Sequence, residues 1–124
     1  MNTKRIVIVE DSVMVARPLR RALERHFGES KYQIEIYESA EAALNEMQAR
    51  PIAVLISDLR LPGMNGLELI ERVRQSAPST PSLLMTAFGS SHIEERAKEQ
   101  DIVYLAKPFN LSAFMATVQE LLGD

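Results

Sequence analysis

Residues 51–66, PIAVLISDLRLPGMNG, constrain the fold of this chain more than any other stretch. Ile52, Ala53, Val54, Leu55 and Ile56 form an unbroken apolar run. Such a run fits the interior of a parallel sheet covered on both faces. It ends in a carboxylate, Asp58, and then in the turn residues Pro62, Gly63, Asn65 and Gly66. In an open α/β sheet, ligands bind at the carboxyl ends of the strands. An acid at that position is therefore a candidate site residue.

The rest of the chain supplies the layers such a strand needs. Residues 5–9, RIVIV, read as a buried first strand, followed by Glu10, Asp11 and Ser12. A first helix is expected over residues 14–27, with Val15, Leu19, Ala22, Leu23 and His26 on one face. Pro18 is placed in its first turn, where backbone donors lack helical partners, and Gly28 ends it. Residues 32–37, YQIEIY, alternate and read as a more exposed edge strand. Ser39 caps a second helix whose stripe is Ala40, Ala43, Leu44 and Met47. A third helix over 66–75 buries Leu69, Ile70 and Val73, and residues 82–85 form a fourth strand ending in Thr86-Ala87. Ser91 and Glu94 have capping-box spacing for a fourth helix. Its apolar stripe is little more than Ile93 and Ala97, so it is expected to be the least firmly held. Residues 102–106 make a fifth strand closed by Lys107-Pro108. Asn110 caps a fifth helix with the stripe Leu111, Phe114, Met115, Val118, Leu121 and Leu122.

Strands alternating with helices imply a doubly wound α/β domain: a five-stranded parallel sheet, right-handed crossovers, and five helices on its two faces. At 124 residues the chain is read as one domain, residues 1–124. With no cysteine, thiol catalysis, zinc thiolate sites and disulfides are excluded. A net charge of −3 gives no reason to expect nucleic-acid binding. The apolar stretch at residues 6–9 is too short for a signal peptide or a membrane span, so a cytoplasmic location is expected and no membrane partner.

The strand ends deliver Glu10, Asp11, Asp58, Thr86 and Lys107 to one edge of such a sheet. Taken singly, each has an ordinary role as a cap, a turn residue or a solvated charge. Together they carry chemistry. Two carboxylates ~5 Å apart at an effective dielectric of ~20 repel by about 3 kcal/mol, so three persist by protonation or by holding a hard cation. Carboxylate oxygens suit Mg²⁺, and acids, Mg²⁺, an amine and a hydroxyl together suit a phosphoryl group. One carboxylate then serves as nucleophile, through an aspartyl phosphate.

With IVIVEDS at 6–12, LISDLRLPGMNGLELI at 55–70, LLMTAFGS at 83–90 and YLAKPF at 104–109, the chain resembles the receiver domains of two-component response regulators over essentially its whole length. The resemblance implies a flavodoxin-like sheet of order 2-1-3-4-5. It implies that Asp58 accepts a phosphoryl group from a histidine kinase or histidine phosphotransfer protein. Glu10, Asp11, Asp58 and the backbone carbonyl of Arg60 would hold Mg²⁺. Thr86 and Lys107 would bind phosphoryl oxygens, and Tyr104 would change rotamer with Thr86. Partner affinity would change through the face formed by the fourth helix, fifth strand and fifth helix, with a homodimer or an effector domain as the output. A cis Lys107-Pro108 peptide is implied as well. Arg60 and Phe88 stand where receivers vary and where side chains influence loss of the phosphate; slow self-dephosphorylation is expected. The resemblance implies no enzyme beyond this self-phosphorylation and dephosphorylation. Three features depart from the family: Gln100-Asp101 replaces the usual Gly-Ala, the segment between Thr86 and Lys107 is about one residue shorter than is common, and the acidic pair is Glu-Asp rather than the more frequent Asp-Asp.

Two other classes compete with the switch. A phosphohydrolase working through an aspartyl phosphate commonly has a second acid two residues after the nucleophile; here that residue is Arg60. A receiver-like interaction module without phosphorylation would tolerate loss of Asp58, Thr86 or Lys107, and all three are present. The chain is either a stand-alone receiver or a piece of a longer regulator. Arg17, Arg20, Arg21 and Arg25 form a basic stripe on the first helix, either a solvated face or a dock for an acidic phosphodonor. Phe88, His92, Ile93, Tyr104 and Phe109 are candidates for a contiguous apolar patch.

Overall fold

The computed structural model describes residues 4–28, 31–47, 51–87 and 90–123. The elements follow in the order β1 (Lys4–Val9), α1 (Val13–Phe27), β2 (Tyr32–Tyr37), α2 (Ala40–Met47), β3 (Ile52–Asp58), α3 (Gly66–Ser76), β4 (Ser82–Thr86), α4 (Ser91–Glu99), β5 (Val103–Ala106) and α5 (Leu111–Leu122). The sheet has five parallel strands in the order β2-β1-β3-β4-β5. β1 and β3 are interior and almost wholly buried, as their apolar runs require, whereas the alternating β2 lies at an edge. No helix among the described residues is long and apolar enough to cross a membrane.

Alternate residues of each strand feed opposite faces of the sheet. On one face Ile6, Ile8, Val54, Ile56, Leu83 and Met85 meet Leu19 and Leu23 of α1 and Phe114 and Val118 of α5. On the other, Val7, Val9, Leu55 and Leu84 meet Ala40 and Ala43 of α2, Leu67, Leu69, Ile70 and Val73 of α3, and Ala97 of α4. Ser39 and Asn110 cap α2 and α5 as expected, accepting from the amides of Ala42 and Ala113. α3 carries a full capping box, Asn65 with Glu68.

Several local expectations shift. The buried stripe of α1 is Ala16, Leu19 and Leu23, and His26 is exposed. Pro18 lies beyond the first turn, inside the helix. Its missing N–H orphans the carbonyl of Met14, a residue 86% exposed, where water can serve as donor. The cap of α4 is Ser90, not Ser91: the Ser90 hydroxyl accepts from the Ile93 amide at 3.2 Å, so the third helical residue is an isoleucine and no capping box forms. Leu111 is 45% exposed at the start of α5. The side chain of Met47 lies outside the described residues.

At the other end of α4, the Gln100-Asp101 departure acquires a structural meaning. The Asp101 amide donates to the Lys98 carbonyl at 3.2 Å and the Ile102 amide to the Ala97 carbonyl at 2.8 Å. These two bonds make a Schellman ending, which needs a left-handed residue, and Asp101 supplies it with φ 55°. Aspartate tolerates this region better than most residues, but glycine enters it without a steric cost. Asp101→Gly is therefore expected to raise stability by about 0.5 kcal/mol, read as a higher urea midpoint. A lower midpoint would show that the carboxylate contributes more than the backbone strain costs.

Candidate functional site

The sheet register gathers the site. Val9 pairs with Ser57, so the residues that follow them, Glu10 and Asp58, leave neighbouring strands together. Asp58 pairs with Met85, and Thr86 with Ala106, which places Lys107 one residue further along. Hydrogen bonds across the strand ends keep the edge in register: the Leu59 amide donates to the Met85 carbonyl and the Lys107 amide to the Thr86 carbonyl, both at 2.8 Å. The Lys107-Pro108 peptide is cis.

Glu10, Asp11 and Asp58 each present a carboxylate oxygen within 4.8 Å of the others. Glu10 and Asp58 are buried, and Asp11 is exposed at the mouth. The Lys107 ammonium bridges the two buried acids, with Nζ 3.0 Å from Asp58 Oδ1 and 3.2 Å from Glu10 Oε1. The Ser12 amide donates to Glu10 Oε2 at 3.0 Å, so the longer acid of this pair is held at both oxygens. Burial pushes the Glu10 carboxyl above the usual carboxylate range, with the Asp58 charge adding to the rise, against the opposing pull of the Ser12 amide and Lys107. Burial works to lower the Lys107 amine, but its hydrogen bond to Asp58 and the charges of Asp58 and Glu10 together hold it above the ordinary lysine value. Lys107 thus stays protonated and faces more negative charge than it can balance.

Thr86 is buried at the same edge. Tyr104, half-buried, pairs through its strand with Leu84, two positions before Thr86 and on the same face. Like Ile93 of α4, it packs against the core cluster that contains Ala97. Arg60 is exposed in the loop directly after β3. All the site residues expected from the strand ends therefore stand along one edge of the sheet, with Tyr104 one step behind it. Phe88 lies outside the described residues.

Two neighbours of Asp58 escaped the sequence reading. The Ser57 hydroxyl donates to the Asp58 carbonyl at 3.0 Å. Gly66 lies so close behind that a Cβ there would sit 2.1 Å from the Asp58 carbonyl oxygen. The sequence marked Gly66 only as turn punctuation and a helix start.

On the surface, Arg20 stays in the basic stripe of α1 with its side chain 43% exposed, but it is partly tied down, donating to the Ile34 carbonyl at 2.8 Å; Arg17, Arg21 and Arg25 are exposed. The apolar patch is divided among the described residues. Ile93 and Tyr104 pack on the α4 face of the sheet, while Phe109 packs on the α1 and α5 face, stacked on Phe114.

Comparison with known proteins places this arrangement. The family profile described as the response regulator receiver domain matches residues 6–119. The response regulator protein FleR of Pseudomonas aeruginosa is 35% identical over 92% of this chain, which spans 24% of FleR. The response regulator receiver protein CpdR of Brucella abortus is 27% identical, with 96% of this chain and 97% of CpdR covered. The crystal structure of a CheY-like receiver domain from Methanospirillum hungatei superposes with a TM-score of 0.88 over 98% of this chain and 95% of that one; at 24% identity it speaks for the fold. The chain spans about a quarter of the length of FleR. With the profile running through all five strands and the acidic cluster beside a lysine at their carboxyl ends, the chain belongs to the response regulator receiver domain family, the signalling-switch module of two-component systems.

Proposed function

We propose that the chain takes a phosphoryl group on Asp58 from a histidine kinase or histidine phosphotransfer protein, and that the modified domain changes its affinity for a partner. The observation that carries this reading is the Lys107 ammonium 3.0 Å from Asp58 inside a three-carboxylate cluster. An Asp58 oxygen attacks the phosphorus of the phosphohistidine. The P–N bond breaks, the imidazole leaves with the bonding pair and takes up a proton, and an acyl phosphate remains. Lys107 and the Thr86 hydroxyl are assigned to the phosphoryl oxygens, where a fixed cation and a donor stabilise charge as it develops.

The residues fit a magnesium ion. Three carboxylates within 4.8 Å of one another, balanced by one ammonium, leave a net charge of −2 and an all-oxygen donor set. Glu10, Asp11, Asp58 and the Arg60 backbone carbonyl are assigned as its holders. When bound, the ion neutralises charge between the attacking carboxylate and the incoming phosphate. Glu10, raised by burial, would gain a countercharge from it.

The phosphodonor is assigned to the exposed face of α1, where Val13 and Met14 are exposed beside Arg17, Arg21 and Arg25. The output is assigned to the face of α4, β5 and α5, where Val103 is exposed on the edge strand. Thr86 drawn toward the phosphoryl group leaves space that Tyr104 enters, and α4, resting on little apolar area, follows.

Incubation with Mg²⁺ and a small phosphodonor such as acetyl phosphate tests the reading. One phosphoryl group per chain is expected, none in Asp58→Asn, and in Asp11→Ala a loss of at least about tenfold in Mg²⁺ affinity. Repeated turnover of many phosphate esters would favour a phosphohydrolase. No labelling of the wild-type chain would favour an inert interaction module.

A further inference from the structure

The side-chain hydrogen bonds and ion pairs that tie α4 to other elements lie, among the described residues, at one end. In its second half Ala97 is buried, and Arg96 donates through Nη2 to both oxygens of Glu71 on α3, at 2.9 and 2.8 Å. Gln100 Nε2 reaches the same carboxylate at 2.7 Å. Arg74, one turn along α3 from Glu71, donates to the carbonyls of Gln100, Asp101 and Thr80. These carbonyls belong to the helix ending itself and to the loop before β4, so one guanidinium ties these two backbone segments to α3.

The first half has no such fastening. Ser91, His92, Glu94 and Glu95 are exposed, and Ile93 is half-buried. The Ser90 cap acts within the helix. Among the described residues, no side-chain hydrogen bond or ion pair joins 91–95 to another element. The free end is also the one nearest the site in the chain, since β4 ends at Thr86 and α4 begins at Ser91.

We infer that α4 is a lever whose fulcrum is its C-terminal end, held by Glu71 and Arg74 of α3. A rearrangement at Thr86 enters at the free end and swings residues 91–95, while 97–102 stay in place. What drives the lever rests on phosphorylation at Asp58, as proposed above; the fulcrum itself does not. The clamp sets how far the change travels: weakening Glu71 lets it spread along the helix and into the start of β5.

Amide exchange followed by NMR on the whole chain tests both parts separately. In the unphosphorylated protein, the amides of residues 98–102 are expected to exchange at least about tenfold more slowly than those of 94–96. Glu71→Ala is expected to bring the two groups within about threefold of each other. Equal protection in the wild type, or an unchanged contrast in Glu71→Ala, would overturn the fulcrum whatever the phosphate does. Arg96→Ala, which truncates a side chain 40% exposed, repeats this measurement should Glu71→Ala fail to fold. With Mg²⁺ and beryllofluoride as the phosphoryl mimic, exchange is expected to change at 94–96 and not at 98–102, and in Glu71→Ala at both. A uniform change along the wild-type helix would overturn the lever. A spectrum untouched by the mimic would instead count against phosphorylation at Asp58, and the first comparison would still decide the fulcrum.

Discussion

Gly66→Ala is expected to destabilise the domain by about 3 kcal/mol and to slow the proposed phosphorylation of Asp58 by about 10–100-fold. A Cβ at this position would lie 2.1 Å from the Asp58 carbonyl oxygen and 2.7 Å from Ser57 Oγ. The nearer obstacle is backbone, which cannot swing aside as a side chain can. Either α3 retreats or the end of β3 bends. Retreat strains the Gly66 amide's hydrogen bond to the Leu59 carbonyl, 2.9 Å long, and lifts Leu67, Leu69 and Ile70 from the core. Bending moves Asp58, the proposed nucleophile, and misplacement of about 1 Å is enough to cost a large factor in rate. Urea unfolding and the time course of labelling report the two effects. A variant that matches the wild type in both would show that the helix start has slack the structure does not display.

Glu35→Ala is expected to cost about 3–5 kcal/mol, a large share of the ~5–15 kcal/mol that stabilises a domain of this kind. Arg5 is 2% exposed, and its guanidinium makes paired bonds to Glu35, Nη2 to Oε1 at 2.7 Å and Nε to Oε2 at 3.0 Å. Tyr37 adds its hydroxyl to Glu35 Oε1 at 2.8 Å. The Glu35 carboxylate keeps Arg5 firmly charged, above its ordinary value, although burial opposes this. Removing the acid takes both paired bonds and the neighbouring negative charge from a buried guanidinium, and a carbonyl such as that of Glu46, at 3.3 Å, brings no charge in exchange. Replacing both partners, Arg5→Met with Glu35→Leu, is expected to restore most of the stability, because no charge is then left buried. A loss below about 1 kcal/mol in Glu35→Ala would place the pair among solvent-screened surface bridges.

The contrast between these two sites shows what could be read in advance. The strands were legible because apolar runs and turn residues are local signals, and the placement of the five candidate residues at one end of the sheet was legible because each ends a strand or follows one. The order of the strands came from resemblance to a family and agrees with the sheet found. Gly66 was visible as a turn residue, but its contact with Asp58 depends on how α3 settles against the end of β3. Arg5 looked like the polar start of an apolar strand, because its partner Glu35 stands 30 residues away on another strand. The same holds for Arg20, whose acceptor, the Ile34 carbonyl, belongs to β2. The one-residue error at the cap of α4 has a different origin: Ser90 and Ser91 are chemically equal, and only the backbone turn chooses between them.

The two faces of the sheet bear on how the domain melts. β1 sends Ile6 and Ile8 into one core and Val7 and Val9 into the other, and β3 and β4 divide their side chains in the same way. Neither core can dissolve while the other keeps its strands, because every strand that leaves takes half of each layer with it. Loss of structure is thereby coupled across the sheet and becomes a single all-or-none transition. Only an element seated on one layer alone can come loose without the rest. A domain wired in this way can let one peripheral helix shift while the acidic cluster at the ends of the same strands keeps its geometry.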